Sequence, residues 1–386
     1  MIYDCLTKEE ATLFAHYKTS HDFCTNTRLG FIFDFYNELI EKDNVFPEAP
    51  LQVGINLTDT CNLSCMHCSR KELLNSSKHN FISNWREIVD KLSDNGVIQI
   101  FLTGGEPFLH PEILDMIQYI KERKIYIAIL TNGLLLTENM LNKLESMLID
   151  DFDYIQISVD GITNTYEFMR KGAKFNQLEH RLNLISNYSI KTQIAMVLNE
   201  ITYKEMFDVY KLCLKYNVDF IRYMPMFDNN TVDISQCDDS KVIKEFAKVL
   251  NDKICNKTKI DIVGDPIPLL YPFAIWLRNK YPEIYFPTGK HICPAGVTSC
   301  EISVGGDVYP CSYLENKIFW AGNIYQDSVK NLWDKQIWNC VRNRKPRSDS
   351  CIKCSESENC LGGCPASSYF RYGQFNYADG ACILGG

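Results

Sequence analysis

The sequence predicts an α/β fold of repeated strand–helix units followed by a cysteine-rich segment. Six short apolar runs recur, at residues 53–57, 98–102, 125–130, 154–159, 192–198 and 220–224. Runs that are apolar throughout are typical of parallel strands buried on both faces. Amphipathic stretches at residues 84–93, 111–122 and 138–147 predict helices between the strands. Spacing alone permits either an open doubly wound sheet or a partial barrel.

Two of the predicted helices have recognisable starts. Pro111 suits a first helical turn, where no backbone N–H donor is needed, and Thr137 suits the position before the helix that follows it.

The polar motifs at residues 61–68, 104–107, 131–133 and 158–161 each come directly after a predicted strand. Because the carboxyl ends of parallel strands share one edge, we expect these motifs to converge.

Three cysteines follow the first predicted strand with the spacing C-x3-C-x2-C, at Cys61, Cys65 and Cys68. A cubane [4Fe-4S] cluster takes four thiolates, and this loop supplies three. One iron is therefore expected to stay open to another ligand. Because thiolates also bind zinc, a zinc loop completed by His67 or His79 is the alternative for this segment.

A second motif follows the second predicted strand. Gly104 and Gly105 lack side chains, so the backbone can approach a ligand there, and Glu106 offers a carboxylate to a positively charged amino group. In isolation this motif could also be a simple turn.

A second set of cysteines lies near the C-terminus. Cys293, Cys300 and Cys311 are followed by a C-x2-C-x5-C-x3-C group and by Cys382. Eight thiolates can complete two four-thiolate clusters. Structural zinc knuckles are the alternative, because C-x2-C spacing also suits zinc.

The lack of an export signal and of a membrane-spanning run favours a cytoplasmic protein. The chain has 386 residues, enough for a large domain and a smaller one, and its net charge of −8 argues against general nucleic-acid binding. No run reaches the roughly 18 apolar residues that span a bilayer, and no export signal is recognisable. The 17 cysteines are an odd number without an export signal, so metal ligation is favoured over a disulfide scaffold.

The cysteine loop and the Gly-Gly-Glu motif, in this order, resemble the radical S-adenosylmethionine (SAM) superfamily. The resemblance covers about residues 51–225 and implies a partial (β/α)6 barrel of the TIM type. It implies that Cys61, Cys65 and Cys68 hold a [4Fe-4S] cluster whose open iron chelates SAM. It further implies reductive cleavage of SAM to a 5'-deoxyadenosyl radical, with an electron donor such as flavodoxin or ferredoxin. The chemistry would then belong largely to the cofactor.

The same resemblance implies a set of SAM contacts. Glu106 would bind the methionine amine and Arg170 its carboxylate, because a guanidinium matches that anion in two-point geometry. A solvated arginine at a helix end is the alternative for Arg170, and core packing is the alternative for Val197 and Met224. The predicted contacts are His67, Gly104, Gly105, Glu106, Pro107, Asn132, Ser158, Asp160, Arg170, Val197, Asn199 and Met224.

The C-terminal order of cysteines is similar to the SPASM extension of radical SAM enzymes, over about residues 290–384. This likeness implies two auxiliary [4Fe-4S] clusters. The implied ligands are Cys351, Cys354, Cys360 and Cys382 for one cluster, and Cys293, Cys311 and Cys364 for the other, with Cys300 as its candidate fourth ligand.

Four segments are predicted from these motifs. They are an N-terminal extension at residues 1–50, the partial barrel at 51–232, a bridging segment at 233–290 and the SPASM domain at 291–386. The bridging segment contains prolines at residues 265–268 and an aromatic run at 271–276. These aromatic residues could contact substrate or pack between the domains.

The resemblance favours modification of a ribosomally synthesised peptide by crosslinking, epimerisation or oxidation. Ser312 follows Cys311, where anaerobic sulfatase-maturing enzymes have an aspartate, so formylglycine formation is not expected. One alternative is action on a small molecule in tetrapyrrole or quinone-cofactor biosynthesis. A non-catalytic electron carrier or a zinc-binding protein is the alternative from another class, although neither needs the Gly-Gly-Glu motif.

Overall fold

The computed structural model describes residues 7–12, 46–68, 70, 80–225, 239–263, 275–276, 279–283, 293–342, 348–375, 377–379 and 382. Within them a ten-stranded sheet has the order β10-β9-β8-β1-β2-β3-β4-β5-β6-β7. The strands are β1 (Gln52–Asn56), β2 (Gln99–Thr103), β3 (Tyr126–Thr131), β4 (Tyr154–Ser158), β5 (Thr192–Leu198), β6 (Phe220–Pro225), β7 (Asp261–Val263), β8 (Ser299–Ile302), β9 (Asp307–Tyr309) and β10 (Gly322–Asn323).

The six predicted strands are β1 to β6, and each lies within one residue of its expected bounds. From β1 to β7 all neighbouring strands are parallel and follow one another in the sequence. A doubly wound sheet would instead reverse its order at a switch point. The prediction of an α/β fold with a partial barrel is therefore confirmed.

Helices connect the barrel strands and cover their outer face. In this part they are α1 (Trp85–Asp94), α2 (Ile113–Glu122), α3 (Glu138–Met147), α4 (Thr163–Met169), α5 (Phe175–Ile185), α6 (Met206–Lys215) and α7 (Asp239–Cys255). The hydroxyl of Thr137 accepts a hydrogen bond from the backbone N–H of Met140, as expected for its position before α3. Helix α2 begins two residues later than the predicted start at Pro111.

The two faces of β1 show how the barrel separates core from interior. Val53 and Ile55 are buried in the apolar core between strands and helices. Gln52, Gly54 and Asn56 point the other way and line a cavity inside the barrel. This alternation follows from the two-residue period of a strand.

The C-terminal segment continues the barrel sheet. Strand β8 pairs in parallel with β1, with Gln52 opposite Ser299, and β9 and β10 add two antiparallel strands. Short helices follow: α8 (Val329–Trp333), α9 (Asn339–Arg342), α10 (Asp349–Ile352), α11 (Ser357–Cys360) and α12 (Pro365–Tyr372). The pairing of β8 with the barrel sheet was not predicted, because residues 299–302 lack an apolar run.

Several features singled out in the sequence lie outside the described residues. They are the proline segment at residues 265–268, the aromatic residues 271–274, and the side chain of His79. Across the described ranges, no helix is both long and apolar enough to cross a membrane.

Candidate active site

A cavity of about 880 Å³ lies inside the barrel and reaches the C-terminal cysteine-rich segment. Its wall includes the three cysteines of the loop after β1 and nine of the twelve predicted SAM contacts. The lining residues from the predicted sets are Cys61, Cys65, Cys68, His67, Gly104, Gly105, Glu106, Asn132, Ser158, Arg170, Val197, Met224, Cys300 and Cys311. The structure thus brings together, at one edge of the sheet, motifs far apart in sequence.

The cysteine loop is held on one side by the end of α4. The backbone N–H of Ser64 donates to the carbonyl of Lys171 at 2.9 Å, and that of Met66 donates to the carbonyl of Met169 at 2.8 Å. These two bonds fix the loop between Cys61 and Cys68 against the segment that carries Arg170.

On its other side the cysteine loop contacts the Gly-Gly-Glu motif. The backbone N–H groups of Gly105 and Glu106 donate to the carbonyls of Thr58 and Thr60, at 2.7 and 2.8 Å. A Cβ at Gly104, where φ is +127°, would lie 2.7 Å from the Thr58 oxygen, and one at Gly105 would collide with Thr60. The two glycines are therefore needed for this close backbone approach.

The loop thiols fit an iron–sulfur cluster better than a single zinc ion. Burial raises the pKa of Cys61 to about 11 and also raises that of Cys65, so nearby positive charge is needed to stabilise thiolates. A structural zinc site takes four protein ligands, whereas this loop supplies three thiols, which suits a cubane with one open iron.

Glu106 is a buried carboxylate already surrounded by donors. It accepts hydrogen bonds from the Thr131 hydroxyl at 2.6 Å, the Asn132 backbone at 2.8 Å and the Phe108 backbone at 3.2 Å. Burial raises its pKa, and these bonds oppose that rise. They fix the carboxylate in the cavity wall, where it can accept a cationic amine.

Asp160 organises the opposite side of the predicted SAM site. Its side chain is fully buried and accepts a hydrogen bond from the Val197 backbone at 2.9 Å. Its second oxygen lies 2.8 Å from Arg170 Nε and 3.3 Å from His67 Nε2. Arg170 also reaches the sulfur of Cys65, with Nη1 at 3.8 Å. Asp160 thereby orients both Arg170, which faces the cavity, and His67, which precedes Cys68.

Three predicted SAM contacts, Pro107, Asp160 and Asn199, lie behind the cavity wall. Asn199 is fully buried, and its side-chain oxygen accepts hydrogen bonds from the backbones of Ile201 and Thr202 at 2.8 and 3.0 Å. Its amide thus stabilises the turn after β5. Burial lowers the pKa of His67 despite the nearby carboxylate, so its imidazole is neutral near pH 7.

Several of the C-terminal cysteines lie close enough to affect one another's ionisation. Burial raises the pKa of Cys311 to about 12, with Cys293 adding to the rise, and burial followed by Cys293 also raises that of Cys364. Burial likewise raises the pKa of Cys360 to about 12, and Cys382 and Cys351 add to it. These thiols therefore need compensating positive charge to ionise.

Cys300 is a buried thiol. It shares a face of β8 with Ile302 and lies beside Leu92, Trp333 and Trp338, and it also forms part of the wall of the large cavity. Burial raises its pKa. Its packing in the apolar core favours a structural thiol, and its predicted role as a fourth cluster ligand stays a prediction.

Asp379 was not identified from the sequence, yet it connects the two predicted cysteine sets. Its carboxylate accepts hydrogen bonds from the Cys364 backbone at 2.8 Å and the Ser367 hydroxyl at 2.7 Å. Its carbonyl accepts from the Cys382 backbone at 2.8 Å. A single aspartate outside any spacing pattern offers no signal of this role.

A charged network on the cavity wall was also missed. Arg70 is buried and holds both oxygens of Glu315, at 2.6 and 3.3 Å, and one oxygen of Asp59 at 3.4 Å. Glu301 lies beside this network, and burial raises its pKa to about 7 despite the nearby arginine. A Cβ at Gly54 would collide with the Glu301 carboxylate, so glycine in β1 makes room for it.

Comparisons with known proteins agree with this geometry. The model of the radical SAM superfamily matches residues 55–213, and that of SPASM, an iron–sulfur cluster-binding domain, matches residues 293–355. Mycofactocin maturase MftC of Mycobacterium tuberculosis is 25% identical over 356 residues, covering 90% of this chain and 86% of MftC. The subtilosin biosynthesis protein AlbA of Bacillus subtilis is 29% identical, covering 83% of this chain and 68% of AlbA.

Structures of SuiB from Streptococcus suis have the same fold. The SAM-bound form has a TM-score of 0.70 at 18% identity and covers 97% of this chain and 88% of SuiB. The form bound to precursor peptide SuiA has a TM-score of 0.71 at 18% identity. It covers 94% of this chain and 82% of SuiB.

The partial barrel, its open three-cysteine loop and the second cysteine-rich wall define an iron–sulfur enzyme. The chain belongs to the radical SAM superfamily and has a C-terminal SPASM domain. SAM and [4Fe-4S] clusters are accordingly its cofactors.

Proposed function

We propose that this protein modifies a ribosomally synthesised peptide by radical SAM chemistry. The observation that carries the proposal is one continuous cavity with Cys61, Cys65 and Cys68 on one side and Cys311 on the other. A substrate residue in this cavity would lie between the SAM site and an auxiliary cluster. The proposal is supported by the likeness to MftC and AlbA over most of the chain, and by a fold shared with SuiB, which binds a precursor peptide.

Cys61, Cys65 and Cys68 would hold the SAM-site cluster. Bound SAM and the reduced cluster supply hydrogen-atom abstraction. Glu106 would accept the methionine amine, because its carboxylate is fixed by three donors and faces the cavity. Arg170 would bind the methionine carboxylate through N–H groups that its pairing with Asp160 leaves available.

Other wall residues would contact the rest of SAM. Val197 and Met224 lie opposite one another on β5 and β6 and provide an apolar surface for adenine. The Ser158 hydroxyl faces the cavity and suits the ribose. Gly104, Gly105, His67 and Asn132 would complete the wall. Pro107, Asp160 and Asn199 would act as positioning residues from behind it.

Two auxiliary clusters would occupy the SPASM domain. The proposed ligands are Cys351, Cys354, Cys360 and Cys382 for one, and Cys293, Cys311 and Cys364 for the other. Cys300 would remain a core thiol, which leaves one iron of the second cluster without a cysteine ligand from these predicted sets.

The remaining assignments belong to the same proposal. The partial barrel would span residues 51–232 and the SPASM domain 291–386, with an N-terminal extension at 1–50 and a bridging segment at 233–290. A flavodoxin or ferredoxin would reduce the clusters, and the enzyme would act in the cytoplasm.

An anaerobic assay tests the radical SAM step. The reconstituted enzyme, with dithionite and SAM, should form 5'-deoxyadenosine, and Cys61→Ala, Cys65→Ala or Cys68→Ala should abolish it. Cys255→Ala is the matched control, because Cys255 is an exposed free thiol at the end of α7. An inactive wild-type enzyme with full iron, or active loop variants, would contradict the assigned cluster site.

Coexpression tests the substrate class. Short peptides encoded beside the gene should change mass when produced with the wild-type enzyme, and should stay unchanged with Cys65→Ala. Formation of 5'-deoxyadenosine that depends on a small metabolite, with every neighbouring peptide unchanged, would favour the small-molecule alternative.

A further inference from the structure

Arg222 places a guanidinium inside the barrel, outside the proposed SAM contacts. Strand β6 alternates, with Ile221 and Tyr223 buried in the core and Arg222 and Met224 lining the cavity. Arg222 lies opposite Ala195 of β5, whose small side chain leaves space beside it. Arg222 is exposed although it lines the barrel cavity, so a ligand in the cavity can reach its side chain.

Arg222 differs from the other two arginines of the cavity wall. Arg70 is paired with Glu315, and Arg170 is paired with Asp160. Among the described residues, Arg222 has neither an ion pair nor a side-chain hydrogen bond. A cation in a partly enclosed cavity is costly to desolvate unless an anion accompanies it. Within the described part of the chain, the charge of the Arg222 guanidinium is therefore not paired with an anion.

Two phenol groups lie near this guanidinium. Tyr154 of β4 and Tyr313, next to the Cys311 region, line the same cavity, and the charge of Arg222 acts on both. Burial raises the pKa of Tyr154, so this phenol keeps its proton near neutral pH. A guanidinium beside a phenol donor provides a group of N–H and O–H donors that matches the oxygens of a carboxylate.

We propose that Arg222, with the Tyr154 hydroxyl, binds a carboxylate group of the substrate peptide. The group would be an acidic side chain or the C-terminal carboxylate of the peptide, since the recognition chemistry is the same. The inference rests on the proposed peptide substrate and adds a determinant of which peptides bind. Because Tyr313 brings this site next to the Cys311 wall, the anchored peptide would lie between the two cluster sites.

Capped tripeptide probes test the carboxylate site without a known substrate. Acetyl-Gly-Glu-Gly-amide is compared with its glutamine analogue, and acetyl-Gly-Gly-Ala with its C-terminal amide. Dissociation constants are measured by saturation-transfer NMR on the anaerobic holoenzyme with saturating SAM and fixed ionic strength. The variants are Arg222→Gln and Arg222→Lys. Arg123→Gln is the matched control, because Arg123 lies on the outer surface and is paired with Asp90.

The wild-type enzyme and Arg123→Gln should bind one carboxylate probe about 10-fold or more tightly than its uncharged partner, the size expected for a charge-assisted hydrogen bond. Arg222→Gln should bring that ratio close to one, and Arg222→Lys should retain part of it. The pair that shows the preference identifies the side-chain or the C-terminal source. Iron content and melting temperature of each variant separate a lost site from a misfolded protein.

Three results would overturn the proposal. They are equal binding of charged and uncharged probes to the wild-type enzyme, no binding of any probe at about 10 mM, and a preference that survives in Arg222→Gln. A rise of 10-fold or more in the SAM dissociation constant of Arg222→Gln would assign the guanidinium to SAM and also refute it. If the wild-type enzyme prefers carboxylate probes but modifies no peptide, the proposed peptide substrate is rejected. The carboxylate-binding role of Arg222 would then still hold.

Discussion

Replacement of Asp160 by asparagine should test the central support of the SAM pocket. Asp160 is fully buried, and its carboxylate lies 2.8 Å from Arg170 Nε and 3.3 Å from His67 Nε2. Asparagine keeps the size of the side chain and an oxygen for the Val197 backbone N–H. The variant thus removes the negative charge with little change in packing.

The expected loss of stability follows from the buried cation that remains. Breaking a buried ion pair by removing one partner costs about 3–5 kcal/mol, because the other charge is left uncompensated. Arg170 retains its contact with the Cys65 sulfur at 3.8 Å, so the lower end, about 3 kcal/mol, is expected. With an unfolding entropy of about 2.1 cal/mol/K per residue over 386 residues, that loss corresponds to a fall in melting temperature of about 4 °C.

Thermal unfolding of the anaerobic holoenzyme measures the effect, with Asp151→Asn as the control. Asp151 pairs with Lys191 at 2.8 Å on the surface, where its side chain is 78% exposed, so its loss should cost less than about 1 kcal/mol. Adding Arg170→Met to Asp160→Asn should recover at least about 1 kcal/mol, because it removes the orphaned cation. Equal melting temperatures for Asp160→Asn and Asp151→Asn would refute the reasoning.

Three further predictions concern the cavity wall. Glu106→Gln should weaken SAM binding about 10-fold or more in equilibrium dialysis, because an amide has one acceptor oxygen and no charge, whereas exposed Glu122→Gln should leave SAM binding unchanged. Chemical analysis should find the full iron content in Cys300→Ala and a lower iron content in Cys311→Ala. A loss of iron in Cys300→Ala would show that Cys300 is a cluster ligand after all. Burial raises the pKa of Glu301 from 4.5 to about 7. Between these pH values the folded protein therefore binds a proton that the unfolded chain does not. The free energy of unfolding should fall as pH rises through this range, by at most about 3 kcal/mol. Chemical unfolding of Glu301→Gln should show a flatter dependence between pH 5 and 7, and an unchanged slope would contradict that pKa.

Much of the fold could be predicted because its signals are local. The bounds of β1 to β6 follow from apolar runs that any strand buried on both faces must have. The pairing of β8 with β1 could not be predicted, since residues 299–302 contain a serine, a cysteine and a glutamate. Those polar residues are tolerated because Ser299 and Glu301 face a cavity rather than a packed core.

The proposed cluster loop could be recognised in the sequence for the same reason, since its three cysteines lie within eight residues. The side-chain contacts around the proposed SAM pocket could not be predicted, because they depend on which side chains meet across strands. Arg170 was assigned to SAM from its type alone, and its pairing with Asp160 appears only when the ends of β4 and α4 are brought together. Spacing likewise counted Cys300 among the ligands, although this residue also packs in the apolar core, which spacing does not reveal.

The register between β1 and β8 sets the distance between the two chemical centres. The Cys61 loop follows β1, and the chain reaches Cys311 two residues after β9, which is paired with β8. A slip of one residue between β1 and β8 would exchange the faces of Cys300 and Glu301, placing a carboxylate among Leu92 and Trp333. Gly54 fits the observed register, because it alone leaves room in β1 for the Glu301 carboxylate opposite it. Burying that carboxylate in the apolar layer instead would cost several kcal/mol, so the residue pair fixes the geometry in which barrel and SPASM cysteines share one cavity.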